Sequence, residues 1–379
     1  MLVVIDQSFF EPSDADSREA SDADSPALFE IFALAFDERH VIVTRPPYAE
    51  DDTCQPINPW LGRLPSRLQA QLRQVLAQGL VIAADLPSDI STCYVGYEPL
   101  QWARARLSCE DAARLLRTPL RLLLENRRND LTFLRRLAPP DHRRVLDEAL
   151  AKGWIDVHGG GLGEVKKLLE ELLTAPAEDL PARIFRLRLW VMFDRDSHPA
   201  DRRAPSPETD TIVQLCQTQR DDPWPLSFHR LARRSIENYL PRKLLEAWAD
   251  EATGRQKTER HKRVAALAQL ARDQPKAWFQ YNMKGGLLKD VSGSVRKEVV
   301  EQQRELQVDD LDSLFHGLSS SQRRALMTGF GDKIADLFDR PPRGVDEAML
   351  EQWFRDEYDR GPSEQVSREE LLESLFARM

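Results

Sequence analysis

Long apolar runs are missing from this chain. No stretch approaches the roughly 18–20 residues that a bilayer span needs, so no membrane partner is expected. The opening MLVVIDQSFF carries no basic n-region and reaches Asp6 early, which is not the pattern of a signal peptide. A cytoplasmic address is expected. Cysteine is scarce as well. Cys54, Cys93, Cys109 and Cys216 are scattered with no CxxC pair, which excludes a cysteine zinc cluster and a disulfide framework and leaves reduced thiols. No GxxxxGK[ST] phosphate loop occurs, so Lys166 and Lys167, which come after a glycine turn, read as helix surface. There is no fixed-period repeat.

The chain does have core material and unevenly placed charge. Hydrophobic residues make up 41% of the 379, enough for two or three globular domains. The net charge of −9 argues against indiscriminate nucleic-acid binding. Residues 1–60 hold 13 Asp/Glu against 3 Lys/Arg, and residues 301–379 hold 18 against 10. Between them, residues 228–300 reverse the balance with 16 Lys/Arg against 8 Asp/Glu. Such a basic middle reads either as a track for a polyphosphate or as ordinary solvated helix faces.

The pattern divides the chain into an N-terminal α/β unit (1–118), a central α/β unit (119–240) and a mainly helical C-terminal region (241–379). In the first, strands are expected at Leu2–Ile5, His40–Thr44 and Leu80–Ala83, and helices at Pro26–Phe36 and Leu64–Gln78. Phe10–Ser25 and Pro46–Pro59 read as loops. In the second, strands at Leu120–Leu124, Trp154–Val157 and Leu187–Phe193 alternate with helices, the order of a parallel sheet with crossover helices. In the third, Ser320–Phe338 reads as one helix and Pro341–Gly344 as a joint before a short acidic tail.

The densest signal is Arg188–Ser197, RLWVMFDRDS. Leu189–Phe193 has the length and composition of a buried parallel strand. On an extended chain Asp194 and Asp196 would share a face, and two carboxylates that close repel unless a cation lies between them. Mg²⁺, a hard ion with oxygen ligands, suits that role. Glu125 ends one strand, Gly159, Gly160, Gly161 and Gly163 come after another, and Asp194 and Asp196 end a third. Ligands of parallel sheets bind beyond those carboxyl ends.

The order strand–Glu125, glycine turn, strand–Asp194-x-Asp196 resembles the TOPRIM fold shared by topoisomerases, bacterial primases and the OLD-family nucleases. The likeness covers about 119–240. RRSIENYLP (Arg233–Pro241) and YNMKGG (Tyr281–Gly286) are similar to later segments of OLD-like nucleases of bacterial anti-phage defence. The chain departs from the family's Glu-Gly-x-x-Asp motif: Glu125 is followed by Asn126, and the acid, Asp130, comes one place late, where it also suits a helix cap. No zinc finger, topoisomerase tyrosine context or ATPase motif is present, so an ATPase would be a separate partner subunit.

The resemblance implies a Mg²⁺- or Mn²⁺-dependent nuclease with an α/β fold. Glu125, Asp194 and Asp196 would hold the metal, and Glu125 would also position water. Glu237 reads either as a further metal ligand or as the ion-pair partner of Arg233 or Arg234. Lys284 would stabilise the phosphate undergoing attack, beside Gly285 and Gly286. Gly160, Gly161 and Gly163, with Arg233 and Arg234, are the expected phosphate and nucleic-acid contacts. Ser197 reads as a residue that caps or orients a carboxylate, His198 as a loop residue, and Tyr239 and Trp278 as packing. DNA and RNA remain equal candidates, and a homo-oligomer is compatible with the sequence. Two other functions stand beside hydrolysis: a non-catalytic TOPRIM-derived binding or sensor subunit, and nucleotidyl transfer as in primases.

Overall fold

The computed structural model describes residues 1–10, 25–44, 57–86, 90–96, 106–174, 185–217, 226–358 and 362–379. Cys54, most of the Ser/Asp-rich stretch and most of the proline-rich loop lie outside them. The described residues form an α/β structure with two parallel four-stranded sheets and a large helical complement.

The first sheet contains β1 (Leu2–Ile5), β2 (Val41–Val43), β3 (Thr92–Val95) and β4 (Arg106–Leu107), in the order β2-β1-β3-β4. The second contains β5 (Leu120–Leu124), β6 (Ile155–Gly159), β7 (Leu189–Phe193) and β8 (Ser227–Arg230), in the order β6-β5-β7-β8. All pairings are parallel. In each sheet the winding reverses between its first and third strands, which opens a crevice at their carboxyl ends. In the second sheet that crevice lies between β5 and β7. Leu124 stands opposite Met192, so Glu125 and Asp194 leave the sheet on neighbouring strands.

Both faces of the second sheet are covered, which is why β7 is apolar without alternation. Leu120, Leu122, Leu124, Trp190 and Met192 join a core with the helices Arg127–Leu137 and Pro140–Ala151 and with much of the region beyond 241. Leu123, Leu189, Val191 and Phe193 face the helices Leu162–Leu173 and Pro207–Gln217. The central sheet and the C-terminal region thus share one continuous core.

Several expectations need correction. Leu80–Ala83 is no strand: it belongs to the 20-residue helix Ser66–Asp85, and Val81 and Ile82 are exposed. A short apolar run cannot by itself distinguish strand from helix. Residues 57–59, expected in a loop, open the helix Ile57–Gly62. β3, four residues long, and β4, only two, are strands that the apolar pattern does not announce. Ser320–Phe338 is not one helix. It is Ser320–Leu326, a turn through Gly329 and Gly331, and a 3₁₀ segment Ile334–Phe338. The acidic tail is a packed helix, Pro362–Phe376, with Leu371, Leu372 and Leu375 in the main core. Among the described residues, no helix is long and apolar enough to cross a membrane. Cys93, Cys109 and Cys216 are buried.

Candidate functional site

The start of the next helix fixes the position of Glu125. Asn126 caps the helix Arg127–Leu137 by accepting from the Asn129 N–H (3.1 Å), and the buried Asp130 accepts from the Asn126 N–H (2.8 Å). Asn126 is therefore the cap, and Asp130, within the helix, supports it by bonding back to its N–H rather than capping the helix itself. The glycine turn braces the same segment. The Gly161 N–H donates to the Glu125 carbonyl (2.8 Å), and a Cβ at Gly159 would come within 2.4 Å of the Arg127 nitrogen. This corrects one expectation: the Gly161 amide is engaged and is not free for a phosphate. Gly160 and Gly163 remain exposed.

At the end of β7 the chain does not stay extended. Asp196 has φ +46°, and its N–H donates to the Arg234 carbonyl (2.9 Å). A left-handed aspartate is uncommon and is kept only where surroundings enforce it. Convergence of the two aspartates on the crevice therefore comes from a turn, not from the two-residue strand repeat. The Asp194 N–H donates to the Glu125 carboxylate, and Asp194 Oδ1 accepts from the Ile236 N–H (3.3 Å).

The segment 233–241 and the loop at 281–286 meet behind these acids. Glu237, 1% exposed, sits in the 3₁₀ turn Ile236–Tyr239, and its carboxylate pairs with Lys284 Nζ at 2.9 Å. Asn238 Nδ2 donates to the carbonyls of Trp278 (3.2 Å) and Tyr281 (3.0 Å), which locks the turn to the lysine loop. That loop is held in turn by the 327–331 turn, through Phe330 N–H to Met283 O (2.6 Å) and Gly331 N–H to Lys284 O (3.1 Å). Gly286 has φ +69°, and a Cβ there would lie 2.5 Å from the backbone of residues 327–329.

The acids raise one another. Burial pushes Glu125 upward, and Asp196 adds to it. Burial, then Glu125 and Glu237, holds Asp194 well above the usual carboxylate range. Burial also raises Asp196 against the pull of Arg234 and Lys284, and pushes Asp130 up to about 7. Burial alone would lower Lys284, but Glu237, Asp194 and Glu125 outweigh it and hold the ammonium charged. The Oε2 atoms of Glu125 and Glu237 are buried without a hydrogen-bond partner. Such orphaned carboxylate oxygens are costly unless a donor or cation completes them. Among the described residues, however, no three His, Cys, Asp or Glu side chains are placed so that they could hold a metal ion as they stand. The donor chemistry fits a hard cation. Ligation requires these carboxylates to draw inward.

Two expected nucleic-acid contacts are structural. Arg233 is 3% exposed, lies over the rings of Trp278 (4.2 Å), Tyr239 (4.6 Å) and Phe279 (5.0 Å), and donates to Asn238 O (2.6 Å). Arg234 forms a two-pronged pair with Asp290 (2.5 and 2.9 Å), whose side chain is 9% exposed. Neither guanidinium is offered to a phosphate. Ser197 donates to Gln280 (2.9 Å), and His198 Nδ1 accepts from the Ala200 N–H (3.1 Å), both loop-fixing roles. Asp290 escapes sequence reasoning. It lies in a short helix after Gly286, with nothing in its neighbours to mark it as the partner of Arg234.

No protein-family model, curated protein or solved structure matches this chain.

Proposed function

We propose that the crevice between β5 and β7 is a divalent-cation centre and that the protein hydrolyses phosphodiester bonds of nucleic acid. The observation behind this reading is the gathering of Glu125, Asp194, Asp196 and Glu237 around a single ammonium, Lys284, with two carboxylate oxygens left orphaned. Glu125, Asp194 and Asp196 would hold Mg²⁺ or Mn²⁺, with Glu237 the fourth carboxylate. The ion would neutralise phosphate charge and lower the pKa of a bound water. Glu125 Oε2, on a carboxylate already raised, is suited to take a proton from water. Lys284 Nζ, half exposed, is suited to face a phosphate whose negative charge grows during attack.

The Lys284–Glu237 pair also favours a second reading, a non-catalytic module in which the lysine already serves as the cation. Cleavage of labelled DNA and of tRNA-rich RNA in Mg²⁺, Mn²⁺ or EDTA decides between them. Hydrolysis predicts metal-dependent cutting that falls by about 10³-fold or more in Asp194→Ala. If wild-type protein cuts neither polymer, and Glu125→Ala leaves nucleic-acid binding intact, the hydrolase reading is wrong and the binding module stands.

A further inference from the structure

The helix Gly254–Asp273 carries Arg255, Lys257, Arg260, Lys262 and Arg263 in its first half against a single acid, Glu259. Its two sides differ. On one side, Asp250 pairs with both Lys257 (2.9 Å) and His261 (3.1 Å), and Arg260 lies over the Trp248 ring at 4.0 Å. On the other, Lys262 and Arg263 stand seven and eight residues beyond Arg255, so the three share a stripe. Arg255 spends its charge on Glu259 (2.7 Å) but remains 92% exposed. Lys262 is exposed and has no partner among the described residues.

Arg263 is the telling residue. It is half-buried, its Nε has no hydrogen-bond partner, and among the described residues no carboxylate pairs with it. Among the described residues its guanidinium donates only to the Thr328 hydroxyl (3.0 Å), and it lies 5.8 Å from the Phe330 ring. Thr328 adjoins Gly329, where a Cβ would lie 2.3 Å from the Lys284 carbonyl. An uncompensated guanidinium therefore sits one residue's reach from the loop that presents Lys284 to the acidic centre. Holding a cation half out of water without a counter-charge is unfavourable, and an anion from outside the chain supplies what is missing.

We propose that Arg263, Lys262 and Arg255 form a backbone track for a nucleic-acid strand that passes Lys284 into the crevice. The stripe extends about 12 Å along the helix, too long for one phosphate and suited to about three along a strand. This proposal rests on the nucleic-acid reading of the centre, and it moves the phosphate contacts from Arg233 and Arg234 to a different element.

The test is fluorescence anisotropy of labelled DNA and RNA oligonucleotides with the full chain in Ca²⁺, across about 50–200 mM salt. Each lost phosphate contact lowers the slope of log affinity against log salt by about 1. The Lys262→Gln/Arg263→Gln double variant is expected to lose about 2 in slope. Lys262→Gln alone, at an exposed position where the fold is not at stake, should lose about 1, and Lys257→Gln none. A wild-type protein that binds while Lys262→Gln and the double variant keep its affinity and slope overturns the track but leaves the centre. A wild-type protein that neither binds nor cuts either polymer overturns both. Competition by polyglutamate as strong as that by unlabelled oligonucleotide would overturn the track and assign the stripe to an acidic protein segment instead.

Discussion

Glu125, Asp130, Asp194 and Asp196 sit in the fold with proton affinities above their ordinary values, which makes each of them a local cost at neutral pH. Linkage gives the direction of the pH effect. An acid whose pKa is higher folded than unfolded binds more protons in the folded state. Its contribution to stability is complete below the unfolded value, about 4, and is lost as pH rises through the folded value. For Asp130, pushed up to about 7, that loss continues to neutrality. Buried His40, His229 and the Met1 amino group are held low and act in the opposite sense over the same window, so the acids' share is read by difference. In EDTA the melting temperature of wild type should fall relative to that of Asp194→Asn as pH rises from about 5 to about 8, and Mn²⁺ should shrink that difference. Asp194→Asn removes the most strongly raised acid, and should stabilise the ion-free protein by about 1–3 kcal/mol at pH 7 while abolishing the metal response. A variant that melts lower than wild type would sink the idea of repelling carboxylates. At this scale the sequence located Glu125 and Asp194 directly after apolar strands, because a buried run that stops at an acid marks a strand end. It misled about Arg233 and Arg234, because a basic letter does not reveal whether an aromatic cage or a buried carboxylate lies in front of it.

The elements that hold the site are short and irregular, and each depends on a neighbour distant in sequence. The lysine loop is the clearest case. Its carbonyls are bonded by the 327–331 turn, some 45 residues later, and Gly286 and Gly329 permit the contact. Gly286→Ala places a methyl group against that backbone at a positive φ, and should cost about 2–4 kcal/mol. Denaturant melts check the loss. In surviving folded protein, metal-dependent activity should fall with it, since Lys284 is displaced. Unchanged stability would show that the two segments do not press on each other. Strands β5 and β7 were legible to the residue or nearly so, since burial on both faces demands a continuous apolar run. The LVIA run within Ser66–Asp85 has similar letters and is helical, because 20 residues of continuous hydrogen bonding and the packing of Gly79 against Ile42 O outweigh a local strand preference. The break of Ser320–Phe338 at Gly329–Gly331 was written in the glycines, but its purpose lay in a loop that the sequence places elsewhere.

Across the whole molecule, the C-terminal segment is structural. Leu350, Phe354, Leu371, Leu372 and Leu375 enter the main core, and Ser374 Oγ accepts from Trp190 Nε1 of β7 (3.1 Å). Removal of residues 345–379 uncovers the sheet that carries Asp194. It should give protein that is insoluble or melts at least about 10 °C lower, as the loss of several buried leucines and an aromatic implies. A truncated chain with unchanged melting would refute that placement. The two sheets repeat one winding order, and in each the reversal opens a crevice. Among the described residues, acids from both flanking strands meet only in the second. The sequence by itself determined the alternation of strands and helices, the apolar strands of the central sheet and the acids that end two of them, because those features depend on local periodicity and burial. Tertiary structure alone decided the rest: that Asp196 turns back in a left-handed conformation, that Glu237 receives Lys284, that Arg233 and Arg234 are consumed internally, and that Arg263 is left without a counter-charge among the described residues. Charges act through space, and which charges become neighbours is fixed only when segments far apart in the chain pack together.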